Sequence, residues 1–186
     1  MTAGAPAPSR RWQPLVLMVD TANASQDVLD RVKANVENVV TRQFAEGAQL
    51  VVVADQIGNS LDLTNPETAL KTLRETMATW VPIEVPKGAK AAPTEIAGFL
   101  PLALRRALVP RGRPWALVYS SLCVPDDANG TDLSTFKGPV RFLTWDAGLD
   151  KSCGAARERW LGATTGDNRQ VIHIDRAEDK DAVGKA

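Results

Sequence analysis

Short apolar runs recur along the chain and are separated by segments with helical spacing of apolar residues. Four of these runs are long enough for strands buried on both faces but too short to cross a membrane, namely 15–19, 50–54, 115–119 and 140–145. A fifth run, 171–175, alternates apolar and polar residues and predicts a late strand that contains His173. The segment 81–86 carries two prolines, so we expect it to be extended, either at a sheet edge or outside the sheet.

Helical patterns fill the first two intervals between these runs. Ser25 is placed to cap a helix whose apolar residues follow a spacing of three and four, and Gly47 is placed to end it. The segment 56–64 has no strong pattern and is predicted to be a loop. The pair Asn65 and Pro66 then predicts the N-cap and first turn of a second helix.

Two further helices are predicted in the second half of the chain. One opens near Thr94 and Glu95, and Pro101 marks either a kink in it or its true first turn. The other spans about 152–163. Strands separated by helices through the whole chain predict an α/β, three-layer, Rossmann-like fold, with a mostly parallel central sheet and helices on both faces.

The composition is that of an ordinary soluble domain. The chain has 186 residues, of which 44% are hydrophobic and 24% charged, and its 22 Lys and Arg balance its 22 Asp and Glu. This balance argues against nucleic acid or an anionic membrane as a partner. We expect one domain over 14–175, a flexible N-terminal extension over 1–13 and a charged flexible tail over 176–186. The N-terminus lacks the apolar core of a signal peptide, which predicts a cytoplasmic protein.

Small polar residues follow the predicted strands. Asp20 ends the first strand, Ser120 and Ser121 follow the third, and Asp146 follows the fourth. In open α/β sheets, ligands bind in the crevice outside the carboxyl ends of the strands, so Asp20 faces the expected site. The alternative is that Asp20 has no functional role and is only a polar residue that ends the strand and begins the cap of the next helix.

Cysteine and histidine usage gives little support to catalysis. Cys123 and Cys153 do not form a zinc spacing and are too few for a disulfide framework. They follow strands that should be neighbours, so their sulfurs could approach, but two reduced and packed thiols are the expected state. His173, the single histidine, is expected to face solvent or a helix. Neither a Gly-rich phosphate loop nor a Gly-x-Ser-x-Gly elbow is present.

In the order of its elements and the placement of its loops, the chain resembles a von Willebrand factor A (vWA) domain over about 14–175. The resemblance rests on Asp20 with the long helix after it, and on the segments 61–64, 94–96, 116–119, 141–148 and 160–166. It implies a vWA-like fold whose common function is to bind proteins, through a metal-ion-dependent adhesion site or through other surfaces.

The metal motif of that family is degenerate in this sequence. The family pattern Asp-x-Ser-x-Ser reads Asp20, Thr21, Ala22, Asn23, Ala24, so that both serine positions are alanine. Thr94 matches the family threonine, whereas Ser120 or Ser121 stands in place of the strand-end aspartate. Asp20 and Thr94 would then be the only ligands for Mg²⁺ or Mn²⁺, which prefer several oxygen ligands. Replacement oxygens would have to come from Asn23, Ser25, Asp126 or Asp127, if their loops fold inward.

The resemblance therefore implies a non-catalytic protein-protein interaction or scaffold module without a cofactor. Its bacterial members suggest a larger assembly, with another protein such as an ATPase as the partner. The residues predicted to bind lie around the strand ends: Asp20, Asn23, Ser25, Lys90, Thr94, Ser120, Ser121, Asp126, Asp127 and Asp146. The alternative is that these loops are exposed to solvent and only connect the strands and helices.

An enzyme hypothesis competes with this one. Asp20 with Asn23 after a first strand also resembles nucleases of the PIN and NYN type, in which several carboxylates bind Mg²⁺ or Mn²⁺ that activates water. The acidic residue expected after the third long strand is missing, and Asp126, Asp127 and Asp146 are the remaining candidates. Because three converging carboxylates are not apparent, the sequence favours a protein that is not an enzyme.

Overall fold

The computed structural model describes residues 14–55, 60–86, 89–106, 114–136, 138–146 and 149–175. The predicted extension 1–13 and tail 176–186 lie outside these ranges. The strands are β1 (Leu15–Val19), β2 (Val51–Asp55), β3 (Ser60–Leu63), β4 (Trp115–Tyr119), β5 (Val140–Thr144) and β6 (Arg169–His173). The helices are α1 (Gln26–Ala45), α2 (Pro66–Ala78), α3 (Ile96–Arg106) and α4 (Lys151–Ala163).

The six strands form one sheet in the order β3-β2-β1-β4-β5-β6. All neighbouring strands are parallel except β3, which pairs antiparallel with β2 at the edge. The central strand β1 is buried along its whole length and aligns Val19 with Asp55 on one side and with Tyr119 on the other. This mostly parallel α/β architecture confirms the predicted fold class.

Alternate residues of β1 point into two separate cores. Leu15, Leu17 and Val19 pack in a core with buried residues of α1 and α2. Val16 and Met18 pack in the other core with buried residues of α3 and α4. Because successive strand residues face opposite sides, a strand that is apolar at every position needs helices on both faces, and the structure has three layers as predicted.

The helix ends follow the predicted capping chemistry. The Ser25 hydroxyl accepts a hydrogen bond from the Val28 amide at 3.3 Å, and Gly47 follows α1 with a φ of +91°. The side chain of Asn65 accepts from the Glu67 amide at 2.9 Å, with Pro66 at the first position of α2. These caps explain why both helices begin where the sequence predicts.

Two local predictions were wrong, and one of two open alternatives is excluded. The predicted loop 56–64 contains β3, because Leu61 and Leu63 alternate with polar residues and pair along β2. Pro101 lies inside α3, which rules out the alternative that it marks the first turn. Strand β6 begins two residues earlier than predicted, at Arg169, because an edge strand leaves polar residues such as Arg169 and Gln170 exposed while they pair with β5.

The strand order places a topological switch between β1 and β4. The chain passes from β1 through α1 to β2 on one side, whereas β4 lies on the other side of β1. In α/β sheets the crevice at such a switch, outside the carboxyl ends of the strands, is the usual ligand position. We call the residues 20–25, 89–95, 120–127 and 145–146 the strand-end rim.

Candidate functional site

Asp20 and Ser120 meet at the switch between β1 and β4. One carboxylate oxygen of Asp20 accepts a hydrogen bond from the Ser120 hydroxyl at 2.9 Å, and the other accepts from the Ala22 amide at 2.9 Å. The Ser120 oxygen in turn accepts from the Leu122 amide at 3.0 Å. Asp20 is 3% exposed and Ser120 is fully buried. Both oxygens of this buried carboxylate therefore have protein partners.

The surroundings of Asp20 make its carboxyl group a weaker acid. Burial raises the pKa of Asp20 to about 6, and the negative charge of Glu95 adds a smaller effect in the same direction. The hydrogen bonds from Ala22 and Ser120 act in the opposite direction because they stabilise the ionised form. The group is thus mostly ionised at neutral pH and gains its proton in mild acid.

Asn23 joins three parts of the strand-end rim. Its amide nitrogen donates to the Ala92 carbonyl at 2.7 Å and to the Ser121 hydroxyl at 3.1 Å, while its amide oxygen accepts from the Ala92 amide at 2.8 Å. We call this group of Asn23, Ala92 and Ser121 the Asn23 clamp. Asn23 has a φ of +64°, a backbone conformation that asparagine tolerates better than most residues. The clamp ties the segment 89–95 to the ends of β1 and β4.

Further contacts hold the clamp in place. The Trp145 indole donates to the Asn23 carbonyl at 3.1 Å, and the Thr94 amide donates to the Cys123 carbonyl at 2.7 Å. The Thr94 hydroxyl is buried, and no hydrogen-bond partner is found for it within the described part of the chain. The strand-end rim is therefore fixed mainly by contacts between segments that are distant in sequence.

Arg157 of α4 supplies a buried positive charge beneath the rim. This residue is 5% exposed, and its guanidinium donates to the Thr144 hydroxyl at 3.0 Å and to the Trp145 carbonyl at 3.2 Å. It also forms an ion pair with Asp146, whose second carboxylate oxygen lies 3.3 Å from Nδ1 of His173. A buried charge is tolerated when it is paired and hydrogen-bonded, and Arg157 is both.

The structure brings together half of the predicted binding residues. Asp20, Asn23, Thr94, Ser120 and Ser121 are all buried at the strand ends.

The other five predicted residues have different environments. Ser25 caps α1, and Asp146 pairs with Arg157. Lys90 and Asp127 are exposed, and exposed Asp126 pairs with Arg159 at 2.8 Å. The suggestion that Asp126 or Asp127 folds inward as a replacement ligand was therefore wrong, because both side chains point to solvent.

At the two positions after Asp20 where the vWA metal motif has serine, this chain has alanine. Ala22 and Ala24 have no side-chain oxygen, and both oxygens of Asp20 already accept hydrogen bonds. Within the described residues, no group of three or more His, Cys, Asp and Glu side chains is placed to hold a metal ion. A depression lined by Asp20, Asp55 and Phe99 has a volume of about 10 Å³, roughly what one water molecule requires.

Sequence reasoning missed Arg157 and Ala92. Arg157 lies on the same helical stripe as Cys153, Ala156 and Trp160, so a charged residue on an otherwise apolar face was the available signal. Ala92 carried no signal, because it takes part through its backbone only.

Comparisons with known proteins show the fold alone. No family model matches the chain, and no curated protein matches it. One similar solved structure is an aerotolerance-related membrane protein from Bacteroides fragilis NCTC 9343, crystallised with multiple mutations to serines. It matches this chain with a TM-score of 0.53 and 13% sequence identity, and the match covers 94% of this chain and 100% of the Bacteroides chain. Proximal thread matrix protein 1 from the mussel byssus has a TM-score of 0.51 and 12% identity, and this chain spans 47% of its length. Among the described residues, no helix is both long and apolar enough to cross a membrane.

Proposed function

We propose that the chain is a non-catalytic protein-binding or scaffold module of the vWA type that works without a bound metal, within a larger assembly. One observation carries the proposal: most of the buried polar side chains at the strand ends bond one another, and among the described residues only the Thr94 hydroxyl of the buried predicted binding residues lacks a partner. Asp20 bonds Ser120, Asn23 bonds Ala92 and Ser121, and Arg157 pairs with Asp146.

This arrangement supports a structural rather than a catalytic role for the buried polar groups. A carboxylate that serves as a metal ligand or a general base needs an oxygen directed at the reacting species. The two oxygens of Asp20 instead hold the first turn after β1 and the first residue after β4. We favour this function over a PIN-type or NYN-type nuclease because Asp126 and Asp146 are each paired with an arginine.

The binding surface that we propose is the exposed part of the strand-end rim. Lys90, Asp126 and Asp127 lie there on segments that the buried network holds in place. A surface that is ordered before binding loses less conformational entropy on association. Its mixed charges suit a protein partner better than nucleic acid, whose phosphates would need a basic patch. An ATPase of the same assembly is one such partner.

Thermal unfolding with Mg²⁺, Mn²⁺ or Ca²⁺ against EDTA tests the metal-independent part of this proposal. A cation present at 100 times its dissociation constant adds about 2.7 kcal/mol to the free energy of unfolding. For a chain of this size that corresponds to a rise of roughly 5–10 °C in the midpoint. We expect no rise. A rise that is lost in Asp20→Asn and retained in the exposed control Asp127→Asn would overturn the metal-independent function.

Recovery of a protein partner by variants of the exposed rim residues tests the proposed binding surface. The tagged chain should recover a protein partner equally well in EDTA and in Mg²⁺, and Lys90→Glu and Asp127→Lys should weaken that recovery without changing the unfolding midpoint. Lys71→Glu, at an exposed position of α2, is the control matched to Lys90→Glu because it makes the same change of charge away from the rim. If both rim variants bind every recovered partner normally, the proposed surface is wrong. Cleavage of RNA or DNA that is lost in Asp20→Asn would favour the nuclease instead.

A further inference from the structure

The two cysteines of the chain, thirty residues apart in sequence, meet where α4 approaches the strand-end rim. Cys123 follows β4, and Cys153 lies in the first turn of α4. Both thiols are free, and they lie within hydrogen-bonding reach of each other. Both residues are buried, and Cys123, at 6% exposed, is slightly more accessible than Cys153, at 1%.

A separate contact shows that α4 faces this segment. Arg157 lies one helical turn after Cys153 on the same buried stripe, and its guanidinium approaches the Ser121 carbonyl at 3.5 Å. Ser121 is two residues before Cys123. The middle of α4, one turn after Cys153, therefore contacts Ser121, two residues before Cys123, independently of the contact between the thiols.

We propose that Cys123 and Cys153 form a peroxide-dependent disulfide, in which Cys123 is the reacting thiol and Cys153 the resolving thiol. This modification site is independent of the proposed function, because its chemistry requires no partner.

The chemistry balances with hydrogen peroxide as the oxidant. The Cys123 thiolate attacks one peroxide oxygen, the O–O bond breaks, and the departing hydroxide takes up a proton to become water, leaving a sulfenic acid on Cys123. The Cys153 sulfur then attacks the Cys123 sulfur, the S–O bond breaks, and the hydroxide takes the Cys153 proton to form a second water. The two thiols lose two electrons, and the peroxide is reduced to two waters.

The environment assigns the two roles. The hydrogen bond from the Cys153 thiol lowers the pKa of Cys123, whereas burial and the negative charges of Asp150 and Asp126 act in the opposite direction. The pKa of Cys153 is raised well above its ordinary range by that same pairing and by burial. A thiol with more thiolate and more access reacts first with peroxide.

The disulfide would connect the parts that hold the segment 89–95. The Cys123 carbonyl accepts from the Thr94 amide, and the Cys153 amide donates to Asp150, whose other carboxylate oxygen accepts from the Ala91 amide at 3.4 Å. A covalent link between Cys123 and Cys153 therefore joins both anchors of that segment. We expect slower amide hydrogen exchange over 89–95 in the oxidised protein.

The test is intact-mass measurement of the folded full-length chain exposed to hydrogen peroxide, followed by non-reducing peptide mapping. The expected result is a loss of two hydrogen atoms, a Cys123–Cys153 cross-link, and reversal by dithiothreitol. In Cys153→Ser, the reaction should stop at a sulfenic acid on Cys123 that dimedone traps, whereas Cys123→Ser should show neither product.

Two outcomes would overturn the proposal. The first is that both thiols of the wild-type protein still react with a thiol reagent at a peroxide dose that has already oxidised its methionines. This outcome does not depend on the folding of any variant. The second is dimedone labelling of Cys153 rather than Cys123, which would reverse the assigned roles. Diamide, a thiol oxidant of a different class, should give the same cross-link.

Discussion

The Asn23 clamp allows a direct test of whether the strand-end rim stabilises the fold. Asn23→Gly removes the side-chain amide and keeps a residue that readily adopts a φ of +64°. Asn23→Ala removes the same amide but adds a Cβ in a backbone conformation that alanine rarely adopts. Together, the two variants separate the contribution of the side-chain hydrogen bonds to the free energy of unfolding from the contribution of the backbone conformation.

The expected magnitudes follow from the contacts. The Asn23 side chain makes three hydrogen bonds, two to the Ala92 backbone and one to the Ser121 hydroxyl, with distances from 2.7 to 3.1 Å. At about 1 kcal/mol each, their loss lowers the free energy of unfolding of Asn23→Gly by about 3 kcal/mol. Asn23→Ala should lose about 1 kcal/mol more because of its positive φ.

Urea denaturation followed by tryptophan fluorescence and circular dichroism measures both differences. The slope against urea should stay constant, so that the midpoint alone reports stability. Asn38→Ala, on the exposed face of α1, is the control and should change the free energy of unfolding by less than about 0.5 kcal/mol. If Asn23→Gly lies within about 1 kcal/mol of the wild type, the clamp does not hold the rim as argued.

Three further predictions concern groups at or near the strand ends. The pKa of Asp20 is about 6 in the native state, against an ordinary value of 3.8. Between these pH values the native state binds a proton that the unfolded state does not. The contribution of Asp20 to the free energy of unfolding should therefore rise by up to about 3 kcal/mol as the pH falls from 7 to 4. The difference in urea stability between wild type and Asp20→Asn across that range measures this contribution, and a constant difference would contradict it. Arg157→Ala should lower stability by roughly 2–4 kcal/mol because it removes the guanidinium donor from two buried oxygens, those of Thr144 and Trp145. Arg159→Ala, from an exposed pair, should change little by the same assay. Gly138→Ala should be strongly destabilising because its Cβ would lie 1.4 Å from the Pro114 carbonyl oxygen. Gly98→Ala, whose Cβ would have no atom within 4 Å, should raise the thermal midpoint slightly. Equal effects of the two substitutions on the thermal midpoint would contradict this prediction.

The fold was largely predictable because it depends on patterns that are local in sequence. The apolar run of β1 requires cover on both faces, and Ser25 and Asn65 satisfy the first amides of the helices that follow. Strand β3 was missed because only Leu63 is fully buried in a short, polar edge strand. Its pairing with β2 is a tertiary property, and four residues give too weak a periodic signal to predict it.

The site was predictable only where the chain topology decides position. Asp20 and Ser120 follow neighbouring parallel strands, so their meeting at the switch could be expected from the strand order. The partners of Asn23 could not be expected, because Ala92 acts through its backbone and lies 69 residues away. Arg157 likewise owes its role to the packing of α4 against the ends of β4 and β5, which no local pattern specifies.

A strand-end rim whose buried polar side chains mostly bond one another should respond to different conditions than a metal site. The affinity of a cation-dependent adhesion surface follows the cation concentration, because the ion supplies part of the contact. The rim proposed here would instead respond to protonation, because the Asp20 carboxylate holds both the Ala22 amide and the Ser120 hydroxyl, and its pKa of about 6 lies close to neutrality. Partner binding should therefore be unchanged by EDTA and should vary between pH 5 and pH 7 in the wild type but not in Asp20→Asn. Binding that is insensitive to pH in both proteins would show that the charge of Asp20 does not influence the surface above it.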